Sequence, residues 1–362
     1  MSHLVIMAAG TGGHIIPGLA VAREMQGRGW SVSWLGTTQG MENRLVPPSG
    51  IPLERINFTG LRGKGLLHTV TGAFKLLGAL GHSMAILRRR GADAVLGMGG
   101  YVCLPGGLVA SLLRKPLLLV NADASLLLSN KALLRFADKV AFGFDGAAAR
   151  ATPRAVVTGN PVRSEIEAIA PPAQRLAGRS GPLKLLVVGG SLGAKVLNDT
   201  LPLALKAMPA ERRPFVVHQT GSANLEAVSA AYRAAGIEVG NGSVELLTFI
   251  DDMSARLAAC DLILCRAGAV TVSELCAAGV ASVLVPLIVS TTAHQRDNAE
   301  YMALHGAALH LPQPELSPER LAALLAGLHR DALCAMATQA RALARPQAAA
   351  RVADQIEQMV AR

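Results

Sequence analysis

One device occurs twice in the chain. LVIMAAGTGGH (4–14) and LLVVGGSLGAK (185–195) each run from a short apolar, β-rich segment through a glycine turn into a small-residue helix start. A strand that feeds a helix this way opens a doubly wound α/β domain. Its restart halfway along 362 residues implies two such domains. Between the two copies lies NPVRSEIEAIAPPAQRLAGRSGP (160–182), polar and proline-bearing, which reads as a linker. The remaining pattern agrees. Apolar runs at 4–10, 31–36, 93–100, 116–121, 139–144 and 155–160, then at 184–191, 215–221, 244–250, 262–268 and 282–287, alternate with Ala/Leu-rich intervals such as 18–29 and 270–279. The expected architecture is α/β: two Rossmann-like, doubly wound parallel sheets facing a cleft, with ligands at the carboxyl ends of the strands.

Composition narrows the function. Hydrophobic residues make up 51% and charged residues 17%, enough for two cores and too apolar for disorder. Aromatics at 3% argue against base-stacking nucleic-acid modules. The net charge of +10 sits wholly in residues 1–160, with 17 Lys and Arg against 7 Asp and Glu; the remainder balances at 18 against 18. A one-sided basic half suits a polyanionic partner, an anionic membrane surface or a phosphate-rich substrate. Cys103, Cys260, Cys265, Cys276 and Cys334 form no CxxC pair and read as buried thiols in a reducing compartment. The start MSHLVIM enters a strand at once, without a signal-peptide pattern, and no apolar run reaches the ~20 residues that span a bilayer. A cytoplasmic protein is expected.

The glycine loops carry the chemistry. Glycines after a strand let a ligand approach the backbone, and the following helix offers unpaired N–H groups and its positive dipole end. Phosphate is favoured there. Four loops have this form: Gly10–Gly13, Gly97–Gly107, Gly189–Gly193 and the turn at Gly268. The first is not G-x-G-x-x-G, no acid follows the second strand at ribose-binding distance, and no GxxxxGK[ST] occurs, so neither a dinucleotide nor P-loop ATP chemistry fits. The adjacent pair Asp251–Asp252 reads as a turn or helix cap, not a metal site. His14 is the titratable side chain of the first loop. A neutral imidazole there can take a proton from a hydroxyl, or it can simply pack under the turn.

These segments together resemble a family. GTGGHIIPGLAVA, LVPPSGIPLERINFTGLRGKGL, VLGMGGYVCLPGG, VTGNPVRSEI, LLVVGGSLGAKVLN, FIDDM, CRAGAVTVSELCAAG and HQRDNA resemble, in order and spacing, the MurG family of bacterial peptidoglycan N-acetylglucosaminyltransferases of the GT-B fold. The resemblance implies transfer of N-acetylglucosamine from UDP-GlcNAc to the muramyl C4 hydroxyl of lipid I (undecaprenyl-pyrophosphoryl-MurNAc-pentapeptide), giving lipid II and UDP. It implies a single inverting displacement with no metal and no cofactor. It also implies an acceptor and membrane-side domain at 1–162, a donor domain at 163–344, and a last helix (345–362) packing back on the first domain. By resemblance, His14 is the base, and Thr11, Gly12 and Gly13 belong to the sugar and acceptor side. Arg163 binds the donor, Ser191 meets the UDP phosphates, and the backbone of Ile250 reads uracil. Ala269, Val270, Thr271, Val272, Ser273 and Glu274 wrap the nucleotide, with Glu274 accepting from the ribose hydroxyls. Gln295 and Asn298, three apart, share a helix face toward the donor sugar. The chain departs from the family's H-E-Q-N with VNAD (Val120–Asp123), which places Asp123 where an amide lies near substrate; Ala9 replaces a glycine, and His294 precedes Gln295.

The acceptor is lipid-anchored, so docking to the cytoplasmic face of the bacterial inner membrane is expected. In 66–90, Leu67, Val70, Phe74, Leu77 and Met84 recur at helical spacing, flanked by Lys64, Lys75 and Arg88, Arg89 and Arg90. An apolar centre with a basic rim suits anionic lipid, while a core-facing stripe with a solvated basic end is the competing expectation. Two rival functions share the pattern: another GT-B UDP-sugar enzyme such as a UDP-GlcNAc 2-epimerase, and a non-catalytic UDP-sugar-binding protein that recruits partners to a membrane. A nucleic-acid binder would explain the basic half but not the glycine loops.

Overall fold

The computed structural model describes residues 2–58, 66–190, 193–240, 242–287 and 293–361; the side chains of 66–71 lie outside the description. The chain divides into two units, Met1–Val162 with Arg345–Arg362, and Arg163–Ala344.

The first unit is a parallel sheet of β1 (His3–Ala8), β2 (Ser31–Thr37), β3 (Leu53–Ile56), β4 (Ala94–Gly99), β5 (Leu117–Asn121), β6 (Lys139–Phe142) and β7 (Ala155–Val157), in the order β3-β2-β1-β4-β5-β6-β7. Both faces of β1 are covered, which is why it reads as an unbroken apolar run. Leu4, Ile6 and Ala8 join one core with the helices Gly12–Gly27 and Ala348–Val360, while Val5 and Met7 point into the other, with Leu66–Arg89 and Cys103–Leu112. The helix Ala348–Val360 is fastened to Gly12–Gly27 by Arg28, which lies 2.7 Å from both Asp354 and Glu357.

The second unit repeats the plan with β8 (Lys184–Val188), β9 (Phe215–Gln219), β10 (Val244–Leu247), β11 (Leu262–Cys265), β12 (Ser282–Leu284) and β13 (Leu309–His310), again all parallel, in the order β10-β9-β8-β11-β12-β13. Three sequence expectations need correction. The strands stop two to three residues short of their apolar runs, β1 at Ala8 and β8 at Val188, because the glycines have already left the sheet. The strands β3 and β13 escape the sequence pattern because four and two residues show no period. Segment 160–182 is no free linker from Arg163 onward. Its short helices Ser164–Glu167 and Pro172–Arg175 belong to the second unit. There Arg175 and Arg179 donate to the carbonyls of Cys260 (2.9 Å) and Ala259 (2.8 Å), satisfying the end of the helix Met253–Ala259.

A buried polar set lies behind the glycine turn of the second unit. Asn198 Nδ2 donates to the Thr220 carbonyl (3.1 Å), so its Oδ1 accepts from His218 Nε2 (3.0 Å), and His218 Nδ1 then accepts from the Tyr232 hydroxyl (3.0 Å). Burial pushes the His218 imidazole down to about 4 from 6.5. Between those values the unfolded chain binds a proton that the folded unit refuses, so this part of the stability is complete above 6.5 and is lost as pH falls toward 4. Urea unfolding should read a loss from pH 7 to pH 5 that is larger by about 2 kcal/mol in the wild type than in His218→Gln.

Candidate active site

In each sheet the strand order reverses beside the first strand of the unit, at β1/β4 and at β8/β11. In open parallel sheets that is where ligands bind, outside the carboxyl ends. The sequence places a glycine loop after each of these four strands.

In the first unit the loop after β1 is held from three sides. Trp34 Nε1 donates to the Ala8 carbonyl (2.9 Å), the Ala9 N–H donates to the Gly99 carbonyl (3.2 Å), and the Gly10 N–H donates to Glu42 Oε2 (3.0 Å). Thr11 is the N-cap of the helix Gly12–Gly27, with no side-chain capping bond, so Gly12, Gly13 and His14 form its first turn. The His14 N–H donates to the Thr11 carbonyl (3.2 Å), while the Gly12 and Gly13 amides lie at the helix end, where an anion or hydroxyl oxygen is favoured. The half-buried His14 ring has Nδ1 3.4 Å from the Ala9 carbonyl. A carbonyl oxygen only accepts, so this contact forms when the proton is on Nδ1, and Nε2 then carries the lone pair. The ring lies against Gly99, whose φ of +128° and whose absent Cβ, which would fall 2.7 Å from His14 Cδ2, account for a glycine in GMGGY. Asp123 follows β5, half-buried, with its carbonyl accepting from Asn121 Nδ2 (2.8 Å).

Glu42 was not singled out by sequence reasoning. It has no exposed surface and accepts from Gly10, from the Thr37 N–H (2.9 Å) and from the Thr37 hydroxyl (2.6 Å). Burial pushes its carboxyl up, but the Thr37 hydroxyl and the Gly10 and Thr37 amides outweigh burial and hold it below the usual range.

In the second unit, Gly189, Gly193, Arg266, Gly268, Thr271 and Gln295 border one open pocket of about 700 Å³. Gly193 has φ +75° and presses on the Thr220 carbonyl so closely that no Cβ fits. Ala269, Val270 and Thr271 begin the helix Ala269–Ala278, capped by Gly268; Val272 and Ser273 turn inward, and Ser273 Oγ donates to the Ala269 carbonyl (2.9 Å). Glu274 is mostly buried one turn later and pairs with Arg163 at 2.9 Å, so two residues 111 apart in sequence meet. Burial pushes the Glu274 carboxyl above the usual range, although Arg163 pulls it back. Ile250 is buried past the end of β10.

Gln295 and Asn298 part company. Gln295 borders the pocket with Oε1 accepting from the Leu287 N–H (2.9 Å), whereas Asn298 is fully buried and donates to the Ala267 carbonyl (3.0 Å). Asn298 therefore steadies the turn before Gly268 instead of sharing Gln295's face. Ser191 lies outside the described residues. Arg266, also unread in the sequence, lies on the pocket wall, half-buried, donating to Gln313 Oε1 (2.7 Å) and the Val285 carbonyl (3.1 Å); burial lowers its pKa. It puts a cation where a diphosphate would be attracted. Among the described residues no three His, Cys, Asp or Glu side chains cluster as a metal site.

The helix Leu66–Arg89 buries Ala79, Ser83, Ile86 and Leu87 but leaves Phe74 71% and Leu77 63% exposed, so its apolar stripe is not core-facing there. Two of the three arginines at its end are not a bare rim. Arg89 and Arg90 both pair with Glu54 on β3, at 2.7 and 2.8 Å. Lys75 and Arg88 are exposed. The Leu67 side chain lies outside the description. No single helix among the described residues is long and apolar enough to cross a membrane.

Comparison with known proteins places these features in context. Residues 4–142 match the glycosyltransferase family 28 N-terminal domain and residues 184–358 its C-terminal domain. A Methylibium petroleiphilum protein named UDP-N-acetylglucosamine–N-acetylmuramyl-(pentapeptide) pyrophosphoryl-undecaprenol N-acetylglucosamine transferase is 69% identical over 361 residues, 99% of this chain and 98% of that one. A protein of the same name from Chromobacterium violaceum is 68% identical over 356 residues, 98% of each. The crystal structure of Acinetobacter baumannii MurG superposes with a TM-score of 0.87 at 40% identity, covering 99% of this chain and 100% of that one.

Proposed function

The chain belongs to glycosyltransferase family 28, in its MurG branch, and from that premise we infer that it transfers N-acetylglucosamine from UDP-GlcNAc to the C4 hydroxyl of MurNAc in lipid I, releasing UDP and lipid II for peptidoglycan synthesis. The observation that carries the reading is end-to-end identity of 69% with a transferase named for that reaction.

His14 Nε2 takes the proton of the acceptor hydroxyl as its oxygen attacks the anomeric carbon. The bond from oxygen to that carbon forms on one face, the bond to the β-phosphate oxygen breaks on the other, and the electron pair leaves with UDP. One displacement turns the α-linked sugar into a β-linked one. The departing diphosphate carries growing negative charge, which the helix end at Ala269, the Gly189–Gly193 turn and the Arg266 guanidinium are suited to hold. Glu274 offers two acceptor oxygens to a ribose diol, and Arg163, paired with it, adds a cation on the donor side. Thr11, Gly12, Gly13 and Asp123 serve the acceptor side, and Ile250 and Gln295 the uracil and donor sugar.

The protein acts at the cytoplasmic face of the inner membrane, where its acceptor is anchored. Exposed Phe74 and Leu77, with exposed Lys75 next to Phe74 and exposed Arg88 about three turns beyond Leu77 on the same helix, support docking to anionic lipid. Phe74→Asp/Leu77→Asp should abolish flotation with phosphatidylglycerol vesicles while leaving UDP binding intact. Replacing Arg89 and Arg90, which are held by Glu54, should weaken flotation less than replacing Lys75 and Arg88. Unchanged flotation of the double aspartate variant counts against this surface. For the reaction itself, calorimetry should detect binding of UDP and UDP-GlcNAc to the purified protein; no heat with either would remove the donor-site assignment.

A further inference from the structure

We infer that Glu42 is a positioning residue for the base, acting on His14 through the single peptide bond between Ala9 and Gly10. The inference rests on the reading of His14 as base. That peptide presents its two polar ends to two side chains. Its N–H, from Gly10, donates to Glu42 Oε2 at 3.0 Å, and its carbonyl, from Ala9, lies 3.4 Å from His14 Nδ1. The sequence Glu42 carboxylate, peptide, imidazole is thus continuous.

A buried carboxylate is expensive unless donors satisfy it. Glu42 is wholly buried and is supplied by the Thr37 N–H, the Thr37 hydroxyl and the Gly10 N–H. The surrounding chain is shaped to admit it. A Cβ at Gly36 would fall 2.8 Å from Glu42 Cγ, and one at Gly40 would overlap the carboxyl group itself. Two small residues and three donors are spent on placing one negative charge against one amide. Hydrogen bonds in series polarise each other, so an anion on the N–H end makes the carbonyl end a stronger acceptor. The Ala9 oxygen then holds the proton on Nδ1, keeps the lone pair on Nε2, and stabilises the imidazolium formed when Nε2 takes the acceptor's proton. In hydrolase triads a carboxylate does this by direct contact with the ring; here one amide intervenes. The Ala9 N–H on the Gly99 carbonyl and the Trp34 indole on Ala8 keep the peptide from turning.

Glutamine is nearly isosteric with Glu42 but has one acceptor oxygen. With that oxygen on the Thr37 donors, its NH₂ meets the Gly10 N–H, so polarisation of the peptide is lost. The test uses the full-length enzyme labelled with ¹⁵N-histidine, with the His14 signals identified by their loss in His14→Gln. The wild type at a pH where the ring is neutral should show the Nδ1–H tautomer; a dominant Nε2–H tautomer overturns the proposal, whether or not any Glu42 variant folds. In Glu42→Gln the tautomers should mix and kcat should fall about tenfold to hundredfold with the KM for UDP-GlcNAc within twofold. The double variant His14→Ala/Glu42→Gln should be no slower than His14→Ala. Unchanged kcat in Glu42→Gln, or losses that multiply in the double variant, would refute the coupling. Turnover that survives His14→Ala is a different result, which removes the base reading itself.

Discussion

Replacing His14 by alanine is expected to lower kcat by about 10²- to 10⁴-fold while leaving the affinity for UDP unchanged. The two halves of that expectation come from different units. His14 stands in the first turn of Gly12–Gly27 in the first unit, whereas the pocket bordered by Gly193, Gly268 and Thr271 belongs to the second. If His14 is the base, as proposed, loss of the imidazole leaves the C4 hydroxyl to attack without a proton acceptor. It leaves the nucleotide's contacts in place. Steady-state kinetics with UDP-GlcNAc and a soluble lipid I analogue, beside calorimetry with UDP, separate the effects. A drop in kcat with equal UDP affinity supports the base. Unimpaired turnover discredits it, and a parallel loss of UDP binding shows that the substitution has acted on folding.

The second large effect is expected at Glu274. Its carboxyl group is mostly buried and is held by Arg163 at 2.9 Å, on the helix whose first turn borders the pocket of the second unit. On the proposed reading, removing it takes away the ribose acceptor, and it leaves Arg163 without this partner. Hydrogen bonds to charged groups contribute roughly 1.5–3 kcal/mol, so Glu274→Ala should raise the KM for UDP-GlcNAc about 10- to 150-fold. At saturating donor, kcat should stay within a few fold, because the diol contact is made equally in ground and transition states. Glu274→Asp, one methylene shorter, should fall between. A kcat loss without a KM change would mean that Glu274 serves the chemical step instead.

Much of this was legible before the fold was known, for a physical reason. Strands β1 and β8 are buried on both faces, so each appears as an unbroken apolar run, and the glycines that follow are forced by turn geometry. What escaped was whatever depends on tertiary partners. Glu42 is a lone acid in TTQGMEN, and only the fold brings Gly10 and Thr37 to its oxygens. Arg266 is one cation among many in the sequence, distinguished only by the pocket it faces. Helical spacing put Gln295 and Asn298 on one face, but a three-residue step turns far enough for one to border the pocket while the other is sealed beneath Ala267. The apolar stripe of Leu66–Arg89 could not be assigned to core or surface by period alone; in the fold it divides, with Phe74 and Leu77 exposed and Met84 packed against the core, and Glu54 pairs with two of the arginines at its end.

The most direct measurement is to incubate the purified protein with UDP-GlcNAc and a lipid I analogue and to analyse both products by NMR. Transfer predicts one equivalent of UDP per disaccharide and a β-configured GlcNAc on the muramyl C4 oxygen. Formation of UDP-ManNAc, retention of the α configuration, or no UDP release from folded protein that binds UDP-GlcNAc would contradict it.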